Sequence, residues 1–388
     1  MTPYNLYNGM KCLYSDIHAI ARRELDFYFA KPKSAVLFLT YRCNSKCKSC
    51  TLWRRTYSPE EIKKELDITS WKNIIDKLLD KDIKVFELLG GNVLTRKNVL
   101  IPIMKYLYEK GAVIHIATNQ IGLDAKIAQA MVQCVNTVYI STDGVGDMQE
   151  KIRGIAKSSE LGRNAMQKLL HYRGTLENNP NKIRLVCNCT VSKLNIDLLE
   201  SIADYAAEMC FDEVHFEYIG EFKRSDVEKS RIGTVVPEPY FIEQEKSLLA
   251  NEEEALKIKN KLVAIRKKYK DKPIKIVTTN IDLLSHENMH LGTIPHDKCY
   301  VERNLVTVDP YGNLIPCPFI QNYTYGNLQE KNFLEIWNQS AHRKMRMSQN
   351  NGNMPMCRQC IIGVVHNIGI LKSMQKVYIQ RIRPKISY

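Results

Sequence analysis

The sequence predicts an α/β fold: a partial (β/α)6 barrel, completed by a long helix and followed by a small C-terminal module. Three observations predict it. Between about residues 35 and 220, short β-rich runs alternate with amphipathic helical stretches, the pattern of parallel βαβ units. After residue 220 the alternation stops and a charged helical stretch follows, over about 241–270. Further on, Asp309-Pro310-Tyr311-Gly312 separates two apolar runs, 305–308 and 313–316, as a hairpin turn would.

The strand candidates are residues 35–41, 84–89, 112–117, 136–141, 182–191 and 213–219. Helical periodicity marks 60–79 and 194–209 between them, with Ser58 as an N-cap ahead of Pro59 at the first helical position. A further helix is expected over 333–347. Residues 1–34 read as a helical extension, 35–220 as the barrel, and 221–295 as a linker and the long helix. Residues 296–365 form the C-terminal module and 366–388 a basic tail. The terminal segments 16–30 and 368–388 are apolar and basic by turns and are expected to pack on the barrel. In a barrel of this kind function gathers at the C-terminal ends of the strands.

Composition narrows the class. Hydrophobic residues at 44% and charged residues at 25% are ordinary for a soluble globular protein. No apolar run approaches the ~20 residues that cross a bilayer, and the N-terminus lacks a secretory core. A cytoplasmic protein is expected. The formal charge of +14 favours anionic partners, yet no block of five or six like charges occurs. Dispersed, solvated lysines explain it as well, and nucleic acid is not the expected partner.

Twelve cysteines are clustered rather than spread. Cys43, Cys47 and Cys50 crowd one loop directly after the first strand, and Cys357 and Cys360 form a C-x-x-C pair. Three thiolates on one loop can each ligate one iron of a 4Fe–4S cluster, leaving the fourth iron open. The alternative is a zinc knuckle completed by a histidine or a distant cysteine.

The spacing and its place after strand one resemble the radical S-adenosylmethionine (SAM) superfamily. The resemblance implies that the open iron chelates SAM and that an electron from the cluster cleaves the sulfonium. The resulting 5′-deoxyadenosyl radical would abstract hydrogen from substrate. An electron donor such as flavodoxin or ferredoxin is implied with it. The family usually places an aromatic residue just before the third cysteine; here it is Ser49, with Trp53 the next aromatic, so adenine packing is expected to differ.

The ends of the later strands carry further resemblances. Gly90-Gly91-Asn92-Val93 stands where the family has Gly-Gly-Glu-Pro, so the glycines match and Asn92 replaces the acid. Thr118-Asn119-Gln120 resembles Thr-Asn-Gly, and Ser141-Thr142-Asp143-Gly144 resembles Ser-x-Asp-Gly. The resemblance assigns Gly90, Gly91, Asn92, Thr118, Asn119, Ser141 and Asp143 to SAM binding, with Asn188 as a SAM or substrate ligand. Each group alone would be an ordinary turn or cap. Glu217, near the end of strand six, is a further site candidate.

Cys299 and Cys317 flank the hairpin and precede Cys357 and Cys360; with Tyr325-Gly326-Asn327-Leu328 and Ile336-Trp337 they resemble SPASM and twitch domains. These are auxiliary-cluster modules of radical SAM enzymes. No cysteine follows Cys360, so the set matches the shorter twitch form with one fully ligated 4Fe–4S cluster. A four-cysteine zinc site is the alternative.

A closed cluster cannot bind substrate without losing a ligand, so it conducts electrons or stabilises the fold. With an electron outlet the radical chemistry ends in oxidation; with a well-placed thiol it ends in epimerisation. Strand five offers Cys187 and Cys189 as donors, although alternation puts both on one face, where core packing is the ordinary role. The expected reaction is oxidation or epimerisation of a small anionic, phosphorylated or sugar-like molecule. Maturation of a ribosomal peptide is the alternative enzyme reading, and a basic zinc protein binding nucleic acid is the alternative outside enzymes.

Overall fold

Six apolar runs become six parallel strands: β1 (Ser34–Phe38), β2 (Val85–Leu89), β3 (Val113–Thr118), β4 (Thr137–Ser141), β5 (Arg184–Val191) and β6 (Glu213–Tyr218). The computed structural model describes residues 34–175, 182–243, 245–295, 299 and 301–360, with 32, 362 and 364. The C-terminal tail and nearly all of the N-terminal extension lie outside the described residues.

Ser58 caps the helix Pro59–Lys63 in a capping box, its amide donating to Glu61 at 2.7 Å. The expected helix over 60–79 is in fact two. Asp67 accepts from the Ser70 amide at 2.8 Å and starts a second helix, Ile68–Leu79. That helix buries Trp71, Ile74, Ile75 and Leu78 on one face, the apolar stripe of an amphipathic helix. The break turns Glu65 inward, where its carboxylate takes the Thr40 hydroxyl at 2.5 Å and pairs with Arg42 at 2.9 Å and Arg96 at 3.3 Å. This triad braces the chain just before Cys43. Glu65→Ala leaves two arginines without their shared carboxylate and is expected to cost about 3 kcal/mol, read as a lower guanidinium midpoint. An unchanged midpoint would show that the triad does not brace this loop.

The expected long helix is shorter, Glu252–Lys268, and Asn251 opens it with a capping box. Three glutamates in its first turn and three basic residues in its last complement the helix dipole. The stretch expected as one helix over 333–347 is split into Phe333–Ile336 and Ser340–Asn350, with Asn338 between them at φ 65°.

The larger surprise is how the C-terminal module attaches. The hairpin forms as expected, β8 (Leu305–Val308) and β9 (Asn313–Ile315), with Asp309 accepting from the amides of Tyr311 and Asn313. But β8 also pairs in parallel with β1, Leu37 opposite Val308. A short β7 (Lys275–Val277) extends the other edge beside β6, and β10 (Gly326–Asn327) flanks the hairpin. Among the described residues all ten strands form one sheet, ordered β10-β9-β8-β1-β2-β3-β4-β5-β6-β7. The module expected to be separate continues the barrel wall.

Candidate functional site

The first cysteine loop leaves β1 and is clamped from several sides. The Lys46 amide donates to the Arg153 carbonyl at 3.2 Å, and the Lys48 amide to that of Ile152 at 3.0 Å. The Trp53 indole donates to the Cys47 carbonyl at 3.1 Å. Two glycines permit these approaches. A Cβ on Gly91 would sit 2.4 Å from the Arg42 carbonyl oxygen, and one on Gly154, at φ +64°, would sit 2.4 Å from that of Lys46.

The expected SAM-binding positions gather round this loop, and most of their side chains are spent holding it. Asn92 is buried; its amide donates to Asn44 and to the Ile121 carbonyl, both at 3.0 Å, and its oxygen accepts from the Thr118 hydroxyl at 3.0 Å. Asn119 donates to Asn44 at 2.9 Å and to Ser45. Asp143 is paired with Arg153 at 2.9 Å and accepts from the Thr190 amide, so its carboxylate is committed to a buried ion pair. The Ser141 carbonyl accepts from Gln120 and Gln149, each at 3.2 Å.

Burial pushes the Cys50 thiol up to about 12 and raises that of Cys47 as well, against the pull of Arg153. Such thiols lose their protons to a coordinated metal rather than to neutral water. Arg153, buried but held charged above its ordinary range by Asp143 and the thiols, adds a fixed positive charge beside them.

Strand alternation divides the barrel wall. One face packs under the helices and holds Phe86, Leu88, Ile114, Ile116, Val138, Ile140, Val214 and Phe216, all at most 1% exposed. Cys187 and Cys189 belong to that face and are 0% exposed. Cys187 lies near Tyr205 of the helix Leu199–Glu208 and burial pushes its thiol up to about 12. The Cys189 sulfur accepts from Asn195 at 3.6 Å. The hydrogen-donor role needs a thiol at the barrel interior, and both are turned into the helix-facing core.

The opposite face lines the interior and is polar. It carries Glu87, His115, Tyr139, Asn188, His215 and Glu217, none of them fully buried. Tyr139 lies between two imidazoles, 6.2 Å from His115 and 5.7 Å from His215. Glu217 is felt across the interior by Glu87, which burial and that neighbour raise to about 7. Asn188, opposite Ser141 and His215 in register, has a buried side-chain oxygen without a partner. Glu217 and Asn188 were expected here from sequence; Glu87, His115, Tyr139 and His215 were not. Their signal was there to read: charged and imidazole side chains recur on one parity of strands that are otherwise apolar.

The second set converges too. Cys299, Cys317, Cys357 and Cys360 line one pocket with Phe319, Met345 and Met356. Gln349 donates to the Cys357 sulfur at 3.6 Å. Among the described residues no three histidines, cysteines or acids converge closely enough to hold a single metal ion. Four thiols around a largely apolar cavity instead suit a multi-iron cluster with cysteines at its corners. Tyr240 joins the two sets: its carbonyl accepts from the Thr51 amide, next to Cys50, at 3.1 Å, and its ring lies 5.3 Å from Phe319.

Known proteins agree with both halves. A family model described as the radical SAM superfamily matches residues 37–172, and one described as an iron-sulfur cluster-binding domain, SPASM, matches 299–361. Fe-coproporphyrin III synthase of Methanosarcina barkeri is 27% identical over 200 residues, 50% of this chain and 46% of that enzyme. The match thus spans about half the length of the curated relative. In fold the chain is similar to Streptococcus suis SuiB bound to S-adenosylmethionine, with TM-score 0.59 and 13% identity over 88% of this chain and 76% of that one. It is similar also to anSMEcpe with bound AdoMet, with TM-score 0.60 and 15% identity over 91% and 97%. No helix among the described residues is long and apolar enough to cross a membrane. The chain belongs to the radical SAM superfamily and carries a C-terminal SPASM iron–sulfur domain, so its cofactors are SAM, a SAM-binding 4Fe–4S cluster and an auxiliary cluster.

Proposed function

We propose that this enzyme abstracts hydrogen from a small, polar, sugar-like substrate in the barrel interior and that the outcome is net oxidation. The observation that carries the reading is the interior wall itself: six polar side chains on the inner face of a parallel barrel, beside the three-cysteine loop. When bound, the first cluster and SAM supply the 5′-deoxyadenosyl radical, and the second cluster supplies a one-electron acceptor. The chain's own residues orient the substrate, exclude water and hold the proton that oxidation releases. His115, kept neutral by burial and by Arg184, is the interior base we assign to that proton.

Epimerisation recedes because it needs a hydrogen-donating thiol, and both cysteines of β5 are packed under helices. An anionic reacting end recedes as well, since Glu87 and Glu217 would repel it. The peptide reading draws on SuiB, solved bound to its precursor peptide SuiA, but a likeness at 13% identity carries the fold alone.

Anaerobic incubation with neutral and amino sugars is expected to raise 5′-deoxyadenosine above the substrate-free rate. The product should be two hydrogens lighter than the substrate. A product of unchanged mass carrying solvent deuterium at an inverted carbon would replace oxidation with epimerisation.

A further inference from the structure

We infer that Gln349 raises the reduction potential of the auxiliary cluster, through the hydrogen bond its side-chain amide gives to the Cys357 sulfur. This rests on the reading that Cys299, Cys317, Cys357 and Cys360 hold that cluster, and it deepens the proposal that the cluster accepts an electron. The inference comes from one polar side chain in a pocket whose other neighbours are nearly all apolar.

Apart from the four cysteines, the polar residues lining the pocket are Gln349 and Glu302, among the described residues; the rest include Phe222, Phe319, Met345 and Met356. Gln349 is 7% exposed, and its Nε2 lies 3.6 Å from the Cys357 sulfur. Its Oε1 is buried without a partner among the described residues. A buried amide is costly unless its groups are bonded, so a glutamine here points to a use for the N–H. An ionised Glu302 would oppose an added electron; the amide N–H favours one.

Both ends of the bond are held in place. Gln349 lies in the last turn of the helix Ser340–Asn350, one turn beyond Met345 on the same face. His342 anchors that helix: its Nδ1 accepts from the Asn338 amide at 3.2 Å, so its Nε2 donates to the Glu302 carbonyl at 3.1 Å. Its ring lies 4.4 Å from that of Tyr325 and 4.3 Å from that of Trp337. Beyond the helix, the Gly352 amide returns to the Gln349 carbonyl at 3.2 Å. On the other side the Cys357 amide donates to the Met354 carbonyl at 3.0 Å, and the Met356 amide to the Ser230 hydroxyl at 3.2 Å. The donor therefore meets the sulfur from a fixed frame.

The direction follows from charge. One-electron reduction adds a negative charge shared onto the thiolate sulfurs, and no bond forms or breaks. In the reading above that electron leaves the substrate radical, and the proton goes to His115. An N–H aimed at a sulfur stabilises the electron-rich state more than the oxidised one, and so raises the potential. Low exposure of the pocket works the other way, by penalising added charge. Gln349 offsets that penalty where its apolar neighbours cannot.

The test is the auxiliary midpoint potential, from a redox titration followed by electron paramagnetic resonance on the anaerobic, cluster-loaded full chain. Gln349→Leu and Gln349→Met each remove the donor and keep a side chain of similar bulk. Each is expected to shift the equilibrium about tenfold against reduction, a fall of about 59 mV for one electron. The first cluster's midpoint should stay in place. In deuterium oxide, electron–nuclear double resonance should show an exchangeable proton coupled to the auxiliary cluster that both variants lose. An unchanged or raised midpoint, survival of that coupling in both variants, an equal fall at the first cluster, or loss of the auxiliary cluster from both would overturn the inference. The last of these would make Gln349 a support of the site. Failure of the cysteine reading looks different. An unmoved midpoint, with the auxiliary signal lost in Cys357→Ala, Cys360→Ala, removes only the role of Gln349. A full auxiliary signal in that cysteine variant removes the ligand assignment and the inference with it.

Discussion

Replacing Cys43, Cys47 and Cys50 together by Ala is expected to abolish 5′-deoxyadenosine formation, a fall of about a thousandfold or more, while the protein stays folded. The loss is large because, in the ligand set we propose, these three thiols alone hold the first cluster. The fold survives because the loop is held by other groups. Lys46 and Lys48 bond the backbone at Arg153 and Ile152, and Asn44 is gripped by Asn92 and Asn119. None of those contacts needs a cysteine side chain. Iron should fall from about eight to about four per chain, the share of one four-iron cluster, with the auxiliary signal intact by electron paramagnetic resonance. Continued 5′-deoxyadenosine release by the triple variant would break the assignment of this loop.

Removing Cys357 and Cys360 should act differently, on structure as much as on chemistry. The four auxiliary cysteines join the start of the hairpin, its far side and the segment after the helix Ser340–Asn350, and metal binding at such a site is coupled to folding. Cys357→Ala with Cys360→Ala is expected to lose about half the iron and to stop substrate turnover. Cleavage of SAM without substrate should continue. Because β8 pairs with β1, amide exchange should quicken in residues 305–308 and also in Ser34–Phe38, which carries the first cysteine loop. Full turnover with half the iron gone would show that the cluster is neither an electron outlet nor a needed support. Faster exchange confined to the C-terminal residues would show that the shared strand pairing does not couple the two units.

How much of this was legible in the sequence depends on whether the signal was local. The six barrel strands were, since each is a short β-rich run bounded by turn residues, and the capping residues at Ser58 and the turn at Asp309 act within a few positions. The first cysteine group stood out because its members crowd one loop, and the second because it resembled a known module; the structure gathers that second set round one pocket. Helix lengths were not: the break before Asp67 exists to bury Glu65 against Thr40, Arg42 and Arg96, partners about twenty to thirty residues away. The pairing of β8 with β1 joins segments with no shared local pattern. The interior wall was missed for a related reason. Glu87, His115 and His215 each look like an isolated polar residue in a strand, and only the pairing of the strands in register brings them onto one surface.

The β8–β1 pairing also has a consequence for how the protein is made. During synthesis β1 emerges about 270 residues before its neighbour Leu305–Val308, so one edge of the first strand waits, unpaired, for most of translation. A waiting edge of apolar residues such as Ala35, Val36 and Leu37 is a template for pairing with other chains. Overproduction of this protein should therefore be limited by aggregation of unfinished chains. Slower translation offers no relief, because it lengthens the interval during which that edge stands open.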